Sequence, residues 1–340
     1  MHYLLRYTGA LLAALLLCPA AQALDLPDTV LAEIDAHALA APPEVEKSTQ
    51  TLAAYLTANL HSEPEKVRAI YRWITDRIDY DVPAYLEGRF SKMSASDVLA
   101  KRTTVCDGFA SLFEELSRAA GLEVKSIAGF AKGYVGAGGQ HFDKPNHMWN
   151  ALKVDGEWRM IDSTWGAGYV SNGRYKKALS EAFFLVPPEQ LVFSHFPQDD
   201  NWQLQHTPHL TQKQFERLPE VKTTFFNNDI SPVEAWETLS SPEFSGQFVQ
   251  TFDLPYHIAS VQKAPLSFNL KLDHHYIFRI RSSKFEKMAV MQTGKWLELG
   301  LQGDAFAADI DPAVPGQLLV VGKAFGSDNY TAILGYDVAP

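Results

Sequence analysis

Three side chains of this sequence have the types needed for nucleophilic catalysis: Cys106, His147 and Asp162. A cysteine acts as a nucleophile through its thiolate, and it normally needs a histidine base that a third group orients. Apolar residues recur at helical spacing over residues 109–120, and Gly121 is placed to end that helix. We therefore expect Cys106 at the helix N-terminus, where unpaired N–H groups and the helix dipole favour a thiolate.

A predicted β-hairpin carries the histidine and the carboxylate. Residues 147–154 and 157–164 flank Asp155-Gly156, a pair favoured in two-residue type I′ turns. The pairing depends on this turn, because a slip of one residue would move every side chain of one strand to the opposite face.

The expected register decides which side chains of the hairpin meet. It places His147 opposite Thr164 and Trp149 opposite Asp162. All four then share a face, and His147 and Asp162 become diagonal neighbours with Cα atoms roughly 7–8 Å apart. The carboxylate can hold one ring nitrogen of the histidine and leave the other facing Cys106.

The surrounding segments predict a mixed helical and sheet domain. A helix is expected over residues 45–60, and Ser62 with Glu65 has the spacing of a capping box that starts the next helix. Residues 124–130 are typical of a strand, and residues 133–139 are typical of a glycine-rich loop.

The C-terminal part has the pattern of an all-β domain. Apolar and polar residues alternate in four runs, at residues 266–272, 276–280, 317–321 and 330–338. A polar stretch without periodicity, residues 197–219, indicates a domain boundary. We predict an α+β protein in which a first domain, residues 24–210, precedes a β-sandwich-like domain, residues 222–340.

The N-terminus, residues 1–23, has the features of a secretory signal peptide. Arg6 precedes a short apolar run at residues 11–17, and the small residues at 21–23 suit cleavage. We therefore expect an exported protein, periplasmic or secreted. The run is shorter than the roughly 20 residues that span a bilayer, and no later stretch approaches that length, so we predict no transmembrane segment after it. Cys18 leaves a lipoprotein site open.

Composition narrows the class of protein. The chain is 46% hydrophobic, which excludes a mostly disordered protein. Its net charge of -10 would repel a phosphate backbone, so we expect no nucleic-acid partner. Of its two cysteines, only Cys106 remains after cleavage, so no internal disulfide is expected and the remaining thiol is either reactive or simply buried.

Several segments together resemble a known family. Residues 105–109 (VCDGF), 146–150 (NHMWN) and 160–166 (MIDSTWG) resemble the catalytic core of the transglutaminase-like superfamily, a branch of papain-like cysteine enzymes. The resemblance to the kyphoscoliosis peptidase family is closer still, and it rests on residues 67–81 (VRAIYRWITDRIDYD), 183–188 (FFLVPP) and 196–204 (FPQDDNWQL). The match covers residues 62–205 and implies a papain-like fold.

The resemblance implies a role for each residue. Cys106 aligns with the nucleophile, His147 with the general base and acid, and Asp162 with the residue that orients the histidine. The implied reaction is acyl transfer from a protein or peptide amide through a thioester, ended by water or an amine. The alternative is a catalytically weak or inactive scaffold that binds a protein partner.

Three tryptophans are further candidates for the site. Trp149 and Trp165 flank the triad residues, and either wall the substrate cleft or belong to the core. Trp73 lies in the region where some superfamily members keep an oxyanion tryptophan, but its helical pattern also suits a core residue. The backbone N–H of Cys106 is the other expected oxyanion donor.

Other histidines and carboxylates do not form a recognisable site. His141 lies near His147, but the hairpin parity favours His147 as the base. His206 with His209 and the pair at residues 274–275 have no adjoining ligand set. We therefore predict no metal and no cofactor. The C-terminal domain has no identified ligand, and a protein partner is possible for it.

Overall fold

The structure, a computed structural model, describes residues 26–89, 92–133, 141–204, 209–252, 254 and 258–339. The predicted signal peptide with Cys18, most of the glycine-rich loop and His206 lie outside the described residues. Within the described ranges, no helix is both long enough and apolar enough to cross a membrane.

The N-terminal part consists of helices around a four-stranded antiparallel sheet. The helices are α1 (Asp28–Leu39), α2 (Thr49–Leu56), α3 (Glu63–Arg77), α4 (Val82–Leu86), α5 (Ala95–Lys101), α6 (Cys106–Ala119), α7 (Ser163–Ala167) and α8 (Pro188–Leu191). The strands are β1 (Asp79–Tyr80), β2 (Thr103–Thr104), β3 (Val124–Ala131), β4 (His147–Val154), β5 (Glu157–Ile161), β6 (Gly168–Ser171), β7 (Arg174–Lys177) and β8 (His195–Pro197). Short 3-10 helices lie at Val45–Lys47, Glu181–Phe183 and Asp200–Trp202. The sheet order is β5-β4-β3-β8.

Local sequence signals explain the helices that support the site. The predicted capping box of Ser62 and Glu65 is present at the start of α3. The predicted helix over residues 45–60 is wrong as a single element, because Ser48 caps a new helix by accepting the backbone N–H of Thr51. A 3-10 turn and α2 replace it.

Helix α6 joins the helical layer to the sheet. Its apolar side chains are buried in one core with α3 and with β3 and β4; those on α6 are Phe109, Leu112, Phe113 and Leu116. The predicted start of this helix at Cys106 is confirmed, as is its end before Gly121, which has a φ of 80°.

The β4–β5 hairpin has the predicted register up to its open end. Val154 pairs with Glu157 across the turn, and both turn residues have positive φ, as a type I′ turn requires. The ladder ends at the pair Asn150 and Ile161. Beyond it the expected strand pairs of Trp149 and His147 do not form, because Asp162 leaves the strand to cap α7.

The C-terminal part contains two sheets that share one core. Its helices are α9 (Gln212–Arg217), α10 (Thr223–Phe226) and α11 (Pro232–Ser240). Its strands are β9 (Gln250–Thr251), β10 (Ser260–Lys263), β11 (Asn269–Lys271), β12 (Tyr276–Arg281), β13 (Phe285–Gln292), β14 (Lys295–Glu298), β15 (Gly300–Gln302), β16 (Ala305–Ile310), β17 (Gly316–Ala324) and β18 (Tyr330–Ala339). One sheet has the order β10-β12-β16-β15, and the other β11-β18-β17-β13-β14 with β9 on β18. The α+β class with a sandwich-like C-terminal part is therefore confirmed.

The polar stretch expected to separate the domains is folded along much of its length. It contains the 3-10 helix Asp200–Trp202 and α9, and Phe215 of α9 is fully buried in a cluster with Phe130, Phe142 and Phe196. Phe215 and Leu218 pack in this cluster, and two buried apolar residues three positions apart are too few to give the sequence a recognisable periodicity. The division into residues 24–210 and 222–340 stays a prediction.

Candidate active site

Cys106 is the first residue of α6, and its side chain is half-buried. The preceding residue, Val105, has no side-chain hydrogen-bond acceptor. Its side chain therefore does not cap the backbone N–H groups of the first helical turn, at the end of the helix that carries the Cys106 thiol. Glycine at position 108 lets this turn approach β2 closely, because a Cβ there would lie 2.0 Å from Oγ1 of Thr104. The first turn of α6 therefore packs directly against β2.

His147 begins β4, and its side chain is buried beside Cys106. Its Nε2 lies 2.7 Å from Oδ2 of Asp162, and the Cys106 side chain is near enough to the ring to affect its pKa. Burial opposes a charge on the ring, but the charge and hydrogen bond of Asp162, with a smaller effect of Cys106, outweigh burial and raise the pKa of His147 to about 10. An imidazolium is therefore favoured at neutral pH.

Asp162 is fully buried and serves two structural purposes. Its Oδ1 accepts the backbone N–H groups of Thr164 and Trp165 at 2.8 and 3.0 Å, which caps α7. Its Oδ2 faces His147. Burial favours the neutral carboxyl group, but the charge and hydrogen bond of His147 outweigh it and hold the pKa of Asp162 well below its ordinary value.

A second histidine, His195, also binds Asp162, and the sequence analysis missed it. Its Nε2 lies 3.2 Å from Oδ2 of Asp162, and its Nδ1 lies 2.8 Å from Oγ of Ser194. Strand β8 brings it there by pairing His195 with Ala131. Burial lowers the pKa of His195, so the ring is neutral. The one available signal was its position directly before the family-like segment 196–204.

A cavity of about 610 Å³ opens beside His147. Trp165 forms part of its wall, and the indole ring lies 5.2 Å from the ring of His147 and 4.5 Å from that of His195, between centroids. Trp149 lies beneath the site in the core, with its ring centroid 5.1 Å from that of His195. Of the two flanking tryptophans, only Trp165 lines the cavity.

The oxyanion assignment for Trp73 is wrong. Trp73 lies on α3, and its side chain is fully buried in the hydrophobic core. Its indole N–H donates to Oε1 of Glu46 at 2.9 Å. The guanidinium of Arg102 lies over the same ring at 4.8 Å from the centroid. Trp73 is therefore a core residue, as its position in the helical pattern indicated.

The remaining polar candidates lie apart from this cluster or belong to it. The side chain of His141 is exposed and binds Glu216. The ligand atoms of His147, Asp162 and His195 lie within 4.8 Å of one another, so among the described residues this group could hold a metal ion. Their hydrogen bonds to one another account for the arrangement, and the absence of a metal stays a prediction.

Together, a helix-borne cysteine, a strand-borne histidine and a buried aspartate form an arrangement similar to that of papain-like cysteine enzymes. Residues 50–163 match the family model of the transglutaminase-like superfamily. The resemblance to this superfamily that was predicted from the sequence is therefore confirmed for this segment.

Particular relatives extend this similarity. The kyphoscoliosis peptidase of Mus musculus is 37% identical over 186 residues, which cover 54% of this chain and 28% of that protein. The same protein of Homo sapiens is 36% identical over 179 residues, covering 52% and 27%. Hillarin of Drosophila melanogaster is 27% identical over 217 residues, covering 57% and 25%. The chain thus spans about a quarter of the length of the curated relatives it matches.

Solved structures with detectable similarity include two candidate proteases. One from Cytophaga hutchinsonii has a TM-score of 0.28 at 23% identity and covers 43% of this chain and 45% of that chain. The other, from Parabacteroides distasonis, has a TM-score of 0.33 at 14% identity, with coverage of 82% and 51%.

Proposed function

We propose that this protein is a cysteine acyl-transfer enzyme that attacks an amide of a protein or peptide. The observation that carries the proposal is that the Cys106 side chain adjoins His147, which in turn hydrogen-bonds Asp162. A thiol, an imidazole and a carboxylate in this order form the arrangement that generates and uses a thiolate. The peptidase names of the relatives support an amide substrate.

The proposed reaction proceeds in two halves. The Cys106 thiolate attacks the amide carbonyl, and the backbone N–H of Cys106 at the start of α6 is placed to donate to the resulting oxyanion. The His147 imidazolium then gives its proton to the leaving amine, so the C–N bond breaks and a thioester remains. Water or a second amine, deprotonated by His147, attacks the thioester carbonyl. The C–S bond then breaks, the acyl group leaves as a carboxylic acid or a new amide, and the thiolate and imidazolium are restored.

Export is part of the proposal. Residues 1–23 would be removed as a signal peptide, and the enzyme would act in the periplasm or outside the cell. Because Cys106 is then the only cysteine, its chemistry can be followed without interference from another thiol.

The competing function is a scaffold that binds a protein partner without turnover. It is favoured by apolar side chains exposed on the C-terminal sheets, where Trp296 is 51% exposed and Phe325 67%. A partner for this part of the chain is a proposal in either case.

The enzyme and the scaffold predict different reactivities for the Cys106 thiol. We would measure the iodoacetamide alkylation rate of residues 24–340 between pH 5 and 10, a reaction that forms a carbon–sulfur bond and releases iodide. An enzyme should show a reactive phase below about pH 7.5 that disappears in His147→Ala and persists in His141→Ala, the exposed control. Reactivity that rises only near the free-thiol value of about 8.5, unchanged by His147→Ala, would contradict the enzyme and favour the scaffold.

A further inference from the structure

The cavity beside His147 has walls without formal charge. Among the described residues that line it there is no aspartate, glutamate, lysine or arginine, so His147 itself is the only group there that carries charge near neutral pH. Burial, with a smaller effect of Cys106, raises the pKa of Tyr80 well above its ordinary value, and burial does the same for Tyr175. Both phenols are therefore neutral.

The rim of the same cavity exposes large apolar side chains. Leu86 is 66% exposed, Tyr169 is 56% exposed and Leu179 is 39% exposed. They come from three separate segments, namely α4, β6 and the chain after β7, yet all three line one opening. Contiguous exposed apolar surface next to a reactive group is typical of a binding surface.

Resting on the proposed function, we propose that this cleft binds an uncharged apolar segment, with aromatic or aliphatic side chains beside the amide that Cys106 attacks. A charged side chain would lose its hydration here, and the one charge among the described lining residues, that of His147, is already paired with Asp162. An apolar side chain would instead be stabilised by leaving water. The substrate is therefore an exposed hydrophobic stretch of a protein or peptide chain.

Matched alkylating reagents test this cleft without a known substrate. We would compare iodoacetamide, N-benzyl-iodoacetamide and its ring-carboxylated analogue at pH 7, each rate divided by its rate with N-acetylcysteine. We expect the benzyl reagent to react about tenfold faster than iodoacetamide, and the carboxylate to remove that gain. Equal corrected rates for the three reagents would overturn the inference.

Substitutions at the rim of the cavity test whether the gain in rate of the benzyl reagent arises there. Leu86→Glu and Tyr169→Glu should each reduce the benzyl gain severalfold, whereas Phe325→Glu, equally exposed but on the C-terminal sheets, should leave it intact. An equal loss in Phe325→Glu would contradict the assignment to this cleft. If iodoacetamide shows the phase below pH 7.5 without a benzyl gain, only the substrate class fails. If that phase is absent, the proposed function fails.

An independent observation concerns His195. Both ring nitrogens are engaged, one by Asp162 and one by the hydroxyl of Ser194, although the side chain is buried among aromatic rings. The charged or titratable groups that face it are Asp162 and His147; its other ring contacts are Trp149, Trp165 and Phe183. A neutral ring in this place adds a hydrogen-bond donor without adding a charge that would repel the imidazolium.

We propose that His195 is a positioning residue that fixes the catalytic carboxylate. Asp162 accepts four N–H groups, two on each oxygen, and His195 supplies the one that shares Oδ2 with His147. Without it, Oδ2 keeps a single donor and the buried carboxylate can turn away from His147. This role also rests on the proposed function.

The test compares isosteric and donor-retaining replacements. His195→Phe should lower the alkylation rate at pH 6–7 by about 10- to 100-fold and leave the rate at pH 10 unchanged, because a hydrogen bond to a charged group is lost. His195→Gln, whose amide nitrogen can reach the position of Nε2, should recover most of the rate. Ser194→Ala, on a partly exposed side chain, should give a smaller loss at the same pH.

Two outcomes would overturn this role. An unchanged profile in His195→Phe, with normal loss in His147→Ala, would mean that His195 does not act on the site. Equal losses in the Phe and Gln variants, with Ser194→Ala like wild type, would mean that the ring acts through packing alone. The absence of a low-pH phase in the wild type would instead contradict the proposed function.

Discussion

Nε2 of His147 lies 2.7 Å from Oδ2 of Asp162, although one residue begins a strand and the other caps a helix. The helix holds the carboxylate through Oδ1 and leaves Oδ2 for the histidine. The backbone thus holds one oxygen of the carboxylate, and the two histidines, His147 and His195, hold the other.

The first prediction separates the charge of Asp162 from its cap. Asp162→Asn keeps a side-chain oxygen for the N-cap but removes the charge. The raised pKa of His147 means that its imidazolium persists as pH rises past 6.5, and in the variant it should be lost near or below 6.5. We expect at least about a 100-fold lower alkylation rate at pH 7–8. Histidine NMR titration checks the sign, and an unshifted His147 would contradict it.

The second prediction concerns Gly166 in α7. Alanine normally favours a helix by about 1 kcal/mol over glycine, but a Cβ here would lie 1.9 Å from Oη of Tyr71. Gly166→Ala should therefore destabilise the fold by about 1–3 kcal/mol in urea unfolding. Gly300→Ala, whose nearest atom would be 3.9 Å away, is the matched control. Equal stability of the two variants would contradict the steric account.

The third prediction concerns Arg68, a buried cation between two acids. It binds Asp35 through Nε at 2.7 Å and Glu181 through both terminal nitrogens. Arg68→Met would remove the partner of Glu181 and leave Asp35 with only the longer contact to Arg72 at 3.5 Å, and it should cost about 3–5 kcal/mol. Arg118, an exposed side chain that pairs with Glu114, is the control, and Arg118→Met should cost no more than about 0.5 kcal/mol. A cost for Arg68→Met as small as the control's would contradict this account.

The fourth prediction is a pH dependence of stability. The N–H of Phe142, with help from Gln212 and His141, lowers the pKa of Glu216 to about 2. A lowered carboxyl pKa contributes stability above the unfolded value, near 4.3, and that stability is lost as pH falls toward 2.

Glu216→Gln tests this sign. The variant should be less stable than the wild type at pH 7 by about 1 kcal/mol, and the difference should shrink below about pH 4 and vanish only near pH 2. Glu237→Gln, on an exposed part of α11, should show no such dependence. A difference that grows on acidification would contradict the assignment.

Short-range sequence patterns predicted the parts of the site that depend on local structure. The turn at Asp155-Gly156 and the spacing of α6 are short-range features, and they placed His147 and Cys106 on the correct elements. The hairpin argument also brought Asp162 to His147, although the last contact comes from a helix cap and not from strand pairing.

Contacts across long sequence separations were not accessible in this way. His195 reaches Asp162 because β8 pairs with β3, a pairing that no periodicity in a three-residue strand announces. Phe215 anchors α9 by a single buried ring, and Ser48 divides a predicted helix by one hydrogen bond. Each of these features depends on one specific contact, which composition and residue spacing do not reveal.

The contact between Arg68 and Glu181 joins residues 113 positions apart, and the chain between them carries Cys106, His147 and Asp162. Closing so long a segment makes assembly of the site a non-local event that depends on topology. A chain synthesised from its N-terminus presents Cys106 before Asp162 or Glu181 exists. Until the whole first domain has formed, the cysteine has neither its base nor its orienting carboxylate, so an unfinished chain carries an ordinary thiol.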